Sequence, residues 1–118
     1  MTTEHQEQCA LFEWAALNET KYPELRWMFA VPNGGKRHIS VAVKMKAEGV
    51  KRGVPDILCV FPSGCRSYIG LAIEMKSGKN KTTPEQNEWL SALENYGWAA
   101  VVCHSWQEAA EVIVNYLN

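Results

Sequence analysis

Two apolar stretches with charged residues at their ends limit the possible folds of this chain more than any other feature. Residues 53–61 and 68–76 are apolar and partly β-branched, and a short turn sequence with proline and glycine separates them. This pattern predicts two paired β-strands. Asp56 opens the first strand, whereas Glu74 and Lys76 close the second. Because a hairpin pairs the beginning of one strand with the end of the other, these three side chains are predicted to meet at one edge of the sheet.

A charged group near an apolar core has a large desolvation cost, so this cluster requires an explanation. Glu74 and Lys76 are two residues apart and therefore lie on the same face of their strand. A divalent cation is one explanation, because Mg²⁺ binds oxygen ligands, usually a small number of carboxylates together with water and substrate phosphate. A structural salt bridge at the strand end is the alternative.

The composition is that of a globular protein with a single domain over residues 1–118. Hydrophobic residues make up 47% and charged residues 21% of the chain, which is ordinary for such domains. No apolar run approaches the ~20 residues of a membrane span, and the polar N-terminal residues are not those of a signal peptide. We therefore expect a cytoplasmic protein with no membrane partner.

The cysteines indicate reduced thiols. Cys9, Cys59, Cys65 and Cys103 show no CxxC spacing, and the first, second and fourth of them lie in apolar segments. We expect these three thiols to be buried and reduced, as is typical of a cytosolic protein. A zinc site built from cysteines and histidines would need paired ligand spacing, which the sequence lacks.

The charge distribution is strongly uneven although the net charge is −1. Residues 36–81 contain ten of the twelve Lys and Arg residues and three of the thirteen acids, so this segment has a charge of +7 and the remainder −8. A basic surface around a small acidic site suits a substrate with a phosphate backbone. The residues predicted to contact nucleic acid are Asn33, Lys36, Arg37, Lys51, Arg52 and Lys79.

Helices and strands are predicted to alternate along the rest of the chain. A Thr-x-x-Gln capping box begins the first helix, and similar signals begin the last two. The order α-β-α-β-β-α-β-α predicts an α/β domain with a mixed sheet covered by helices. The predicted bounds outside the central hairpin are helix 4–18, strand 25–31, helix 39–48, helix 84–96, strand 98–103 and helix 106–117.

Two helix-start residues, Glu4 and Gln86, each have a structural and a functional interpretation. Glu4 is a first-turn acid, which complements the helix dipole. Gln86 occupies the fourth place of a capping box that begins with Thr83. The local pattern explains each residue without excluding a further role.

Several short motifs, in the same order along the chain, resemble the virus-type replication-repair nuclease (VRR-NUC) domain in its small stand-alone phage form. This family is a branch of the PD-(D/E)xK nucleases, whose fold is restriction-endonuclease-like. The resemblance covers nearly the full length, and its motifs lie at residues 4–8, 32–35, 46–50, 53–56, 73–76 and 84–86.

The resemblance implies a role for each matched residue. Asp56 and Glu74 match metal-binding carboxylates, and the backbone carbonyl of Met75 is an expected third ligand. Lys76 matches the lysine that orients or helps to deprotonate the attacking water. Glu4 and Gln86 match an acid and a glutamine near the metal.

The implied activity is hydrolysis of DNA phosphodiester bonds with Mg²⁺ or Mn²⁺. Small family members are homodimers that cut branched DNA, in particular four-way (Holliday) junctions. Flap or ordinary duplex DNA is an alternative substrate for the same core. A nucleic-acid-binding module without catalytic activity is the alternative of another class.

Overall fold

The structure is a computed structural model that describes residues 2–32 and 38–118. The element order agrees with the predicted one, apart from an added 3₁₀-helix. The elements are α1 (Glu4–Asn18), the 3₁₀-helix (Pro23–Trp27), β1 (Met28–Ala30), α2 (Ile39–Ala47), β2 (Ile57–Cys59), β3 (Gly70–Met75), α3 (Pro84–Asn95), β4 (Trp98–Cys103) and α4 (Trp106–Leu117).

The strands form one mixed sheet in the order β1-β2-β3-β4. The β1–β2 and β2–β3 pairs are antiparallel, as expected for strands joined by a hairpin. The β3–β4 pair is parallel, because α3 forms the crossover that returns the chain to the same end of the sheet. The predicted α/β domain with a mixed sheet and flanking helices is therefore confirmed.

The first predicted strand was wrong for residues 25–27. Pro23 begins a 3₁₀-helix there, and the Leu25 N–H donates to the Tyr22 carbonyl at 3.0 Å. Proline favours this conformation because its φ is already close to the helical value. Only Met28–Ala30 of the predicted strand form β1, in which Met28 faces the core.

The core lies between β3 and the helix pair α1 and α4. Every residue of β3 is buried. Leu71, Ile73 and Met75 belong to the apolar cluster that also contains Leu11 of α1 and Ile113 of α4. Side chains alternate along a strand, so the intervening residues of β3 point to the opposite face of the sheet. Glu74 is one of these intervening residues.

The cysteine prediction was correct for two of three thiols. Cys59 and Cys103 are buried, and burial raises the pKa of each thiol to about 12. Cys9 is exposed, because it lies on the solvent side of α1 while Leu11 and Ala15 face the core. All four thiols are free. Within residues 2–32 and 38–118, no helix has the length and apolarity required to cross a membrane.

Candidate active site

The β2–β3 hairpin brings Asp56 to the end of β3. Ile57 pairs with Ile73, so the residue before β2 lies beside the residues after Ile73. The Asp56 Oδ2 atom accepts a hydrogen bond from the Met75 N–H at 2.8 Å, and the Asp56 carbonyl accepts one from the Val31 N–H at 2.8 Å. Its backbone and its side chain are thus both anchored to neighbouring strands.

Glu74 is the most unusual residue of this sheet edge. Its side chain is 2% exposed, and its Oε1 atom has no hydrogen-bond partner among the described residues. Burial, and next the adjacent Asp56, raise the pKa of Glu74 to about 9, while the positive charge of Lys76 opposes this rise and Glu4 adds to it. A buried carboxylate beside a second acid is destabilised unless a proton or a cation neutralises it.

Lys76 provides the positive charge next to Glu74. Its Nζ atom lies 3.9 Å from Glu74 Oε2, and its side chain is 11% exposed. The Lys76 N–H donates to the Cys103 carbonyl at 2.9 Å, which extends the pairing of β3 with β4 beyond Met75. Lys76 is therefore held in extended backbone on the same face as Glu74. The sequence pattern placed these two charges together, and the structure does so as well.

Gln86 makes both a helix-capping contact and a contact with Glu74. Its Oε1 atom accepts from the Thr83 N–H at 2.9 Å, and the Thr83 hydroxyl accepts from the Gln86 N–H, which completes a capping box. Its Nε2 atom donates to Glu74 Oε2 at 3.3 Å. Because the cap occupies the carbonyl end of the amide, the NH₂ end faces the Glu74 carboxylate.

Glu4 reaches the segment that follows β3. Its Oε2 atom accepts a hydrogen bond from the Ser77 N–H at 3.4 Å, and its negative charge contributes to the raised pKa of Glu74. Glu4 is also in the first turn of α1, where an acid is favourable. As with Gln86, the residue at the helix start also contacts the segment around the candidate site.

Trp89 makes a contact beside the site that the sequence did not predict. The Trp89 indole N–H donates to the Arg52 carbonyl at 3.0 Å. At Gly53, where φ is +85°, an added Cβ would lie 2.9 Å from the Glu85 backbone. The segment leading to Asp56 is therefore fixed against the first turns of α3. A glycine directly before the Val-Pro-Asp motif was an available signal for this close approach, whereas Trp89 had none.

Glu7 is a second residue whose contact the sequence did not predict. Its Oε1 atom accepts from the N–H of Trp106, the first residue of α4, at 2.8 Å. The Thr2 hydroxyl and the Trp106 N–H both lower the pKa of Glu7, in that order of importance. Glu7 lies one helical turn after Glu4, so this contact fixes the end of α1 that carries Glu4.

The predicted DNA-contacting residues separate into two groups. Lys51, Arg52 and Lys79 are exposed, on the segments that precede Asp56 and follow Lys76. Arg52 forms a loose ion pair with Glu85, with 3.8 Å between Nε and Oε2. The remaining three, Asn33, Lys36 and Arg37, lie outside the described residues.

The donor set fits a hard divalent cation. Within residues 2–32 and 38–118, no group of three His, Cys, Asp or Glu side chains is arranged to hold a metal. Mg²⁺ needs no such group, because it usually keeps several waters and binds through one or two carboxylates. Asp56 and Glu74 supply that pair, and the unpartnered Glu74 Oε1 atom is a free acceptor for a cation.

The mixed sheet with a carboxylate–lysine cluster at its edge is characteristic of a PD-(D/E)xK nuclease. Within this class the chain belongs to the VRR-NUC family, since the VRR-NUC domain model matches residues 2–107. A solved structure described as a VRR_NUC domain protein is similar over 99% of this chain and 89% of its own, with 30% sequence identity and a TM-score of 0.82. No curated protein matches this sequence.

Proposed function

We propose that this protein is an Mg²⁺- or Mn²⁺-dependent DNA endonuclease of the phage type that cuts branched DNA, with four-way junctions as its preferred substrate. One observation carries the proposal: the buried Glu74 carboxylate has an unpartnered oxygen beside Asp56, in a chain that belongs to a nuclease family. Its setting would be the cytoplasm of a bacterial or phage-infected cell.

Asp56, Glu74 and the Met75 carbonyl would hold the metal. When bound, the ion would polarise the scissile phosphate and lower the pKa of a coordinated water. The raised pKa of Glu74, about 9, means that its carboxyl group is protonated at neutral pH in the metal-free protein. Glu74 would have to release this proton to act as a metal ligand. Binding should therefore release a proton, which calorimetry in two buffers of different ionisation enthalpy can measure.

Lys76 would stabilise negative charge on the phosphate or on the attacking water. Its ammonium group is held close to Glu74 in a poorly solvated position, where electrostatic interactions are stronger than in water. Gln86 would keep Glu74 oriented through its Nε2 hydrogen bond. Glu4 would fix the backbone after Lys76 through the Ser77 N–H.

The proposed homodimer is supported by exposed apolar side chains. The segment around β1 exposes Trp27 and Phe29, and α2 exposes Ile39, Val41 and Val43. Large exposed apolar patches are typical of interaction surfaces. Two copies related by a two-fold axis would present paired active sites to a two-fold junction. Light scattering after size-exclusion chromatography tests this: a monomeric mass at micromolar concentration would contradict it.

The decisive experiment measures cleavage of a labelled panel of four-way junction, flap and duplex DNA, with Mg²⁺ and with EDTA. We expect Mg²⁺-dependent cleavage, fastest on the junction. Asp56→Asn and Glu74→Gln should abolish cleavage while DNA binding is retained or improves, because each change removes a metal ligand and a charge that repels phosphate. Faster cutting of flap or duplex DNA would show that one of these, and not the four-way junction, is the preferred substrate. The absence of cleavage on every substrate would favour a nucleic-acid-binding module without catalytic activity.

A further inference from the structure

A cleft of about 590 Å³ lies between α2 and the segment that leads to Asp56. On the α2 side it is lined by Ala42, Met45 and Lys46. These residues have i, i+3 and i+4 spacing and therefore share one face of the helix. The volume is within the ~300–1,000 Å³ range of sites that bind small molecules. The cleft is thus large enough to hold one organic group of moderate size.

On its other side, the cleft is lined by two segments of the chain that lead directly to residues of the candidate active site. Lys51 and Arg52 line it and precede the Gly53–Asp56 segment, and Glu85 lines it and precedes Gln86. Gly53 packs against the Glu85 backbone, which fixes this wall of the cleft relative to the site. An occupant of the cleft would therefore be held in a defined relation to the carboxylates.

The lining combines apolar surface with an excess of positive charge. Ala42, Met45 and Val50 are apolar, while Lys46, Lys51 and Arg52 outnumber the single acid, Glu85. A phosphate alone would make no use of the apolar part, and a purely apolar ligand would make no use of the cations. A nucleotide uses both, because a base has an apolar face and the attached phosphate has a negative charge.

We propose that this cleft holds one unpaired nucleotide of the DNA substrate. The proposal rests on the proposed function, since it takes DNA as the substrate, and it names the feature that the protein recognises. A base within a duplex has both faces stacked on its neighbours and would have to be extruded, which is unfavourable. A nucleotide at a bulge has no pairing partner, and one at an open branch point has lost a stacking neighbour, so that extruding either costs less. The cleft would accordingly favour branched or bulged DNA over continuous duplex.

A binding experiment tests the cleft without relying on cleavage. In the Asp56→Asn background, affinity is compared for a duplex and for the same duplex with a single 2-aminopurine bulge. We expect the bulge to bind on the order of tenfold more tightly, from burial of the apolar face of one base. Ala42→Phe, which fills the cleft, should reduce this ratio to about one and remove the change in 2-aminopurine fluorescence, with the duplex affinity unchanged.

Ala47→Phe is the matched control, because Ala47 is an exposed residue of the same helix that does not line the cleft. It should keep the full preference for the bulge. Ala42→Met fills the cleft less and should give an intermediate ratio; it also serves as the readout if the phenylalanine variant melts at a lower temperature. An unchanged ratio in Ala42→Phe and Ala42→Met, or an equal loss of affinity for both DNAs, would overturn the inference.

The inference and the proposed function fail in different ways. If the unmodified protein cuts no DNA with Mg²⁺, the proposed function fails, while the binding ratio still reports on the cleft. If it cuts branched DNA but shows no preference for the bulge, the proposed function stands and only the cleft proposal is refuted.

Discussion

Replacing Gln86 by glutamate tests whether this residue acts on Glu74 or only caps α3. Glutamate serves the capping box as well as glutamine does, because its carboxylate still accepts from the Thr83 N–H. The donor that lies 3.3 Å from Glu74 Oε2 is lost, however, and a second negative charge takes its place. The perturbation therefore preserves the local structure and changes only the contact with the site.

The expected magnitude follows from this geometry. A hydrogen bond to a charged group contributes about 1.5–3 kcal/mol, and a loss of that size in the transition state slows a reaction roughly 10- to 150-fold. Two like charges at this separation would repel by about 5 kcal/mol at an effective dielectric constant of ~20. A proton shared between the carboxylates relieves that repulsion, so we expect the loss to appear in activity and not in the melting temperature.

The pH profile provides an additional readout. Burial and Asp56 already raise the pKa of Glu74 to about 9, and the new carboxylate should raise it further. Glu74 must lose its proton to act as a metal ligand. The rising limb of kcat/KM against pH should therefore move to higher pH in Gln86→Glu. If Gln86 only caps α3, the substitution would leave this limb at its original pH.

Gln6→Glu is a matched control within the same chain. Gln6 forms the equivalent capping box with Thr3, at the same 2.9 Å distance, but it is exposed and does not contact Glu74. The assay is junction cleavage at saturating Mg²⁺, with thermal melting of both variants. Equal activities for Gln6→Glu and Gln86→Glu would refute the reasoning and return Gln86 to a capping role alone.

Three further predictions concern residues outside the carboxylate pair. The Thr2 hydroxyl and the Trp106 N–H lower the pKa of Glu7. The contribution of Glu7 to stability is therefore present above its pKa in the unfolded chain and is lost as the pH falls through its pKa in the folded protein. In urea unfolding, Glu7→Gln should flatten the fall of stability at acid pH. Cys65 should be alkylated first near pH 7, because hydrogen bonding with the Ser67 hydroxyl lowers its pKa to about 7. Mass spectrometry after brief iodoacetamide treatment measures this, and faster reaction of a buried thiol would contradict it. Arg52→Ala should reduce the slope of log affinity for junction DNA against log salt by about one unit, while Arg26→Ala should leave it unchanged.

The strands and helix starts that depend on neighbouring residues were predictable. The two capping boxes, Thr3 with Gln6 and Thr83 with Gln86, form because donor and acceptor are three residues apart. The pairing of the two central strands was predictable because two apolar stretches flank a turn sequence, and this pairing also implied the approach of Asp56 to the end of β3. The structure shortens the predicted strands 53–61 and 68–76 to Ile57–Cys59 and Gly70–Met75, with residues 60–69 between them.

Predictions failed where burial by distant elements decided the outcome. Cys9 lies in an apolar sequence, yet the orientation of α1 against α4 leaves it exposed. The strand predicted from residue 25 failed for a different and local reason, because Pro23 begins a 3₁₀-helix that takes up its first residues. Local patterns report which residues are apolar, but they do not report which of them a neighbouring element will cover.

By itself, the sequence determined the order of elements, the helix caps and the identity of the charged residues at the sheet edge. The tertiary structure decided how those residues act on one another. The Gln86 amide reaches Glu74 only because α3, packed on β4, begins near the end of β3, and Glu7 reaches Trp106 across 99 residues of chain. Hydrogen bonds within one turn depend on spacing alone, whereas the raised pKa of Glu74 and its unpartnered oxygen arise from desolvation, which exists only after the whole domain has packed.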